Sequence, residues 1–61
     1  MTNPRFVIYK DAAGYHRWRL QAINGEKVAA SEAYSSKQAS INSASRVKLI
    51  AWSADIVDST I

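Results

Sequence analysis

The sequence predicts an α+β fold: a three-stranded antiparallel β-meander followed by one α-helix packed on the sheet, in the order β-β-β-α. Three observations predict it. Two runs rich in β-branched, aromatic and alternating residues, Arg5–Lys10 and Tyr15–Ala22, are joined by the turn signal Asp11-Ala12-Ala13-Gly14. A second turn signal, Asn24-Gly25, precedes a shorter run, Lys27–Ser31. Then Ser35-Ser36-Lys37-Gln38 supplies a helix start, and apolar and small residues recur after it at helical spacing.

Met1–Pro4 reads as a short lead. Pro4 has no N–H to give to a ladder, so the first strand begins after it. The first connection suits a three-residue loop, with Asp11 at the first position of a type I turn and Gly14 left-handed. That loop sets Phe6 opposite Leu20, Val7 opposite Arg19, Ile8 opposite Trp18, Tyr9 opposite Arg17 and Lys10 opposite His16.

For the second connection the two loop lengths give different registers. A two-residue type I′ turn at Asn24-Gly25 puts Leu20 opposite Ala29 and Gln21 opposite Val28. A three-residue loop puts Leu20 opposite Val28 and Trp18 opposite Ala30. The second keeps one face apolar, and a buried face is what sets register. The expected dry face is therefore Phe6, Ile8, Trp18, Leu20, Val28 and Ala30. The expected wet face is Val7, Tyr9, Arg17, Arg19, Gln21 and Ala29.

The helix is expected from Ser36 to about Ala51, with Ser35 as N-cap and Gln38 completing a capping box. Ala39, Ser40, Ser43, Ala44, Val47, Ile50 and Ala51 share one side at 100° per residue, and most are small enough for close approach to a sheet. Ile41 and Trp52 fall at the margin of that stripe and Leu49 nearly opposite it. One exposed Leu is ordinary. An Ile, a Leu and a Trp left over from so small a core point to a second buried surface. The last residues, 53–61, read as a short strand or tail beyond a core of about 5–52. The whole, 1–61, is one domain without repeats or low-complexity segments.

A chain of 61 residues sits near the lower limit of independent stability, where disulfides, metals or oligomerisation are the usual supports. There is no cysteine, and His16 is the single histidine, so disulfides and multi-histidine metal sites within one chain are excluded. Good packing or a partner subunit remains, and a homodimer is expected. No apolar run approaches the roughly 20 residues that cross a bilayer, so no membrane role is expected. "MTNPRF" lacks the apolar stretch of a signal peptide, and a cytoplasmic location is the simplest reading. The net charge of +3 permits a polyanion partner without requiring one.

The motifs yield no chemistry of their own. There is no P-loop, dinucleotide fingerprint or zinc spacing, and no cofactor or metal is expected. Arg17 and Arg19 with Tyr9 and Tyr15 resemble a basic, aromatic sheet face on which single-stranded nucleic acid stacks. The plainer reading lays Arg17 over Tyr9 as a cation–π pair on a solvated or subunit-facing surface. A general base needs an orienting carboxylate, whereas His16 faces Lys10, so it reads as an ordinary strand histidine. Glu32 lies among serines whose usual use is capping. Lys37, in the first helical turn beside unpaired backbone N–H groups, is a candidate anion contact. The candidate partner-binding residues are therefore Tyr9, Arg17, Arg19 and Lys37, and none is expected to be catalytic.

The combined pattern F-x-I-Y-x-D-x-x-G-x-x-R-W-R-L, an N-G turn, an S-E-x-Y-x-S-K box and a helix with a V-K pair strongly resembles the YegP-like family of small bacterial and archaeal domains of unknown function. Phe6, Ile8, Tyr9, Asp11, Gly14, Arg17, Trp18, Arg19, Leu20, Asn24, Gly25, Ser31, Glu32, Tyr34, Ser36, Lys37, Val47 and Lys48 carry the match. The resemblance implies a β-β-β-α unit, found in tandem in some members and as a homodimer in single-unit ones. It brings no known activity, cofactor or catalytic residue. The chain departs from the pattern after Lys48, where "LIAWSADIVD" replaces a polar helix end and adds apolar surface through Leu49 and Trp52. The expected function is a small homodimeric interaction or structural module, not an enzyme, that recognises a protein or peptide. Weak nucleic-acid binding through the basic sheet face is the alternative.

Overall fold

Two glycines, Gly14 and Gly25, and two turn-forming side chains, Asp11 and Asn24, whose Oδ1 accepts the Glu26 N–H at 3.0 Å, shape the sheet. A computed structural model describes residues 3–60, so Ile61 and the Met1-Thr2 start of the expected lead lie outside the described residues. Strand β1 (Arg5–Lys10) pairs antiparallel with strand β2 (His16–Gln21), with Phe6 opposite Leu20, Ile8 opposite Trp18 and Tyr9 opposite Arg17, as expected. Between them the Gly14 N–H donates to the Asp11 carbonyl at 3.0 Å and Gly14 adopts φ +90°, the left-handed geometry that a Cβ disfavours. Asp11 Oδ1 accepts from the N–H groups of Ala13 and Tyr15, each at 2.9 Å, which fastens the loop from inside.

The second hairpin brings in strand β3 (Lys27–Ala30), giving the order β1-β2-β3. Its loop has the expected three residues: Ala22 N–H donates to Glu26 O at 2.8 Å, and Gly25 has φ +88°. The expected register does not survive beyond it. Gln21 pairs with Lys27, but Leu20 pairs with Ala29 and Arg19 with Ala30. A bulge places both Lys27 and Val28 across from Gln21, and one extra residue sends every later side chain to the other face. Val28 is therefore 63% exposed instead of lying on the dry face, and Ala30 sits across from Arg19 instead of Trp18.

The chain returns to the ladder twice more. The Ser31 N–H donates to Trp18 O at 2.9 Å while Ser31 Oγ accepts the Trp18 N–H at 2.9 Å. Tyr34 then exchanges two backbone bonds of 2.8 Å with His16. Only Arg17 separates Trp18 from His16, whereas Glu32 and Ala33 separate Ser31 from Tyr34, so the edge is irregular here as well.

Helix α1 (Lys37–Ser53) is capped by Ser36, not Ser35. Ser36 is extended at φ −131°, ψ 151°, and its Oγ accepts the Ala39 N–H at 3.1 Å. Gln38 takes no part in a capping box; its side-chain amide donates to Asn42 one turn on, at 2.9 Å. The helix crosses β2 and β1 and does not reach β3. Ser40 and Ala44 are buried beneath it, and Ala39, Ile41, Ser43 and Val47 are half-buried. Ile50 and Ala51, expected against the sheet, are exposed. Seventeen residues make a helix of about 25 Å, while a six-residue strand spans about 20 Å. The last turns overhang.

Trp18 centres the core at 5% exposed, with the Phe6 ring meeting it edge-on at 5.1 Å and 70°. Its indole Nε1–H donates to Ser43 Oγ at 2.9 Å, and the same oxygen accepts the Tyr34 hydroxyl at 2.9 Å. Among the described residues no buried side-chain polar atom lacks a partner. Beyond Ser53, residues 54–60 are exposed and belong to no helix or strand, and Asp58 Oδ1 accepts from the Thr60 N–H at 3.0 Å and from its hydroxyl. No described helix is long and apolar enough to cross a membrane.

Candidate functional site

Alternation along β1 and β2 places Val7, Tyr9, Arg17 and Arg19 on the sheet face away from the helix, as expected for Tyr9, Arg17 and Arg19. The pairing among them differs. Arg19, diagonal to Tyr9, lies over its ring with the guanidinium carbon 5.0 Å from the centroid. Arg17, directly across from Tyr9, turns instead to Asp11, its Nε donating to Oδ2 at 2.7 Å, and reaches Ser31 O from Nη1 at 3.4 Å. A carboxylate within reach outcompetes a ring face for a guanidinium. The bond from Arg17, with the backbone donor of Tyr15, holds the Asp11 carboxyl below its ordinary range, and Asp11 in turn raises the Arg17 guanidinium.

This geometry gives the nucleic-acid alternative no support. One of its two arginines is neutralised by Asp11, and the other covers the aromatic ring on which a base would stack. Lys37 does not join the group; it opens α1, on the other side of the sheet, and is exposed. His16 faces Lys10 across the ladder and is tied to Tyr34 through its backbone. Ser31 and Ser36 are occupied in the edge and the cap. Among the described residues no three His, Cys, Asp or Glu side chains come together as a metal site.

Two features of the surface escape sequence reasoning. Asp11 is one; as the residue across from Tyr15, it is a diagonal neighbour of Arg17 on the same face, so the first hairpin's register contained the signal. The other is a groove of about 480 Å³ between sheet and helix, with Phe6, Ile8, Leu20, Ile41 and Ala44 within it and Pro4, Arg5, Ser45 and Lys48 around it. The small helix residues Ala44 and Ser45 leave this apolar wedge unfilled.

Residues 11–58 match the family described as a domain of unknown function, DUF1508. The chain is similar to UPF0339 protein Atu0232 of Agrobacterium fabrum, 41% identical over 92% of this chain and 90% of that one. A UPF0339 protein of Treponema denticola is 41% identical over 88% and 93% of the two chains. Among solved structures, the solution structure of a protein from Haloferax volcanii shares the fold, with a TM-score of 0.82, 37% identity and coverage of 97% of this chain and all of that one.

Proposed function

The chain belongs to the DUF1508 family, the UPF0339 or YegP-like domains of unknown function, and from that premise we propose that it works through its surfaces as a small homodimeric interaction module for a protein or peptide partner. One observation carries the reading. Among the described residues the fully buried hydrophobic side chains are Trp18 and Ala44, while Leu49, Ile50, Trp52, Ile56 and Val57 are exposed on the helix end and tail, with Trp52 92% exposed. Large apolar side chains left exposed in such number mark a contact surface, and tryptophan is enriched in interface cores. On a chain this short, covering them with a second copy adds the stability that one copy lacks.

The reading includes no catalysis. Asp11 is committed to its turn and to Arg17, and His16 has a lysine across from it where a base would need a carboxylate. It also places the module in the cytoplasm, since a cysteine-free chain gains nothing from an oxidising compartment; fractionation of cells expressing the chain tests that part. Sedimentation equilibrium at micromolar concentration tests the assembly. We expect twice the 6.8 kDa chain mass, and a monomer throughout that range overturns the homodimer.

A further inference from the structure

We infer that the C-terminal tail of each copy lies in the sheet–helix groove of the other, with Ile56 and Val57 against the apolar floor and Asp55 and Asp58 against the basic rim. The inference rests on the homodimer reading and adds which segment meets which surface.

Groove and tail are complementary in polarity and in charge. The floor is Phe6, Ile8, Leu20 and Ile41, and Arg5 and Lys48 stand at its edge. The tail reads acid-apolar-apolar-acid from Asp55 to Asp58, with Ile56 fully exposed and Val57 81% exposed in the single chain. An unfilled apolar wedge and an uncovered apolar segment each leave apolar surface in water, which is unfavourable in proportion to its area. Bringing them together removes both. The rim cations then meet the flanking carboxylates, which steers and orients the segment.

Backbone geometry favours another copy as the source. The helix ends at Ser53, and Ala54 leaves it extended at φ −72°, ψ 136°. The groove borders the helix only as far as Lys48, and the helix runs five residues further, to Ser53, before the tail begins at Ala54. The groove is also walled by β1, an edge strand, whose outward N–H and C=O groups lie beside any extended segment docked there. Two reciprocal insertions close a two-fold dimer and leave no unpaired site to propagate.

The test uses the full chain. In a dimer assembled from differently isotope-labelled copies, intermolecular NOEs are expected from the Ile56 and Val57 methyls to the Phe6 ring and Ile41. The double variant Ile56→Asp with Val57→Asp is expected to raise the dimer dissociation constant by about a hundredfold or more, with the β1–β2 amide signals in place. If the parent chain is dimeric but shows no such contacts, or the variant dimerises as tightly as the parent, the tail–groove inference fails and the homodimer stands. NOEs within one copy only would mean that the tail folds into its own groove, and they also overturn it. A monomeric parent chain removes both readings.

Discussion

Asp11 serves two ends at once, holding the first turn through Oδ1 and Arg17 through Oδ2. Its carboxyl titrates below the ordinary aspartate value, so the interaction is complete above about pH 3.9, the unfolded pKa, and is lost as pH falls through the lower folded value. Following the Asp11 side chain by NMR should give a midpoint below 3.9, and Arg17→Gln should move it back upward; a midpoint unmoved by that change would show that Arg17 is not the cause. Ser43 sets a second residue-scale test. It accepts from both Trp18 and Tyr34. Ser43→Ala orphans two donors and should cost about 1–3 kcal/mol in urea unfolding, whereas Tyr34→Phe leaves the tryptophan satisfied and should cost about 0.5–1.5 kcal/mol. Equal losses would argue against a shared acceptor. At this scale the positions of Tyr9, Arg17 and Arg19 were legible, because strand alternation dictates a face. Which cation meets which partner was legible only through Asp11, which the first hairpin's register sets diagonal to Arg17.

The elements divide between those whose sequence permits one solution and those that permit two. The first hairpin permits one. Asp11 and Gly14 specify the loop, and bulky residues on the inner face make any slip expensive. The second hairpin has an equally explicit turn, yet Ala29 and Ala30 fit either face, so the sequence tolerates the bulge that moves Val28 outward. The helix start is similarly degenerate, since Ser35 and Ser36 are both good caps and only backbone geometry separates them. Ser36→Ala should therefore destabilise the chain by about 0.5–2 kcal/mol, while Ser35→Ala should stay within about 0.5 kcal/mol. The reverse order in thermal or urea unfolding would move the cap back to Ser35. Helix periodicity named a stripe through Ala51 but carries no information on how far a sheet extends, so the overhang of Ile50 and Ala51 emerges only from the two lengths compared.

For the whole molecule, eight large hydrophobic side chains among the described residues are exposed, so its stability should depend on concentration. If a second copy covers the helix end and tail, unfolding includes dissociation, and dilution lowers the apparent melting temperature by roughly 3–8 °C per tenfold. The two tryptophans make this readable without a label. Trp18 is 5% exposed within one chain and Trp52 is 92% exposed. Dissociation should therefore red-shift emission from Trp52 while Trp18 stays unchanged, and Trp52→Ala should abolish the shift and weaken association. The fluorescence transition and the change in sedimentation mass should fall at the same concentration, because both report the same contact. A melting temperature and emission maximum that stay constant from nanomolar to micromolar, with a monomeric mass throughout, would mean that Trp18 and its hydrogen-bonded neighbours hold the fold alone. The exposed helix end would then have to be covered by a different protein.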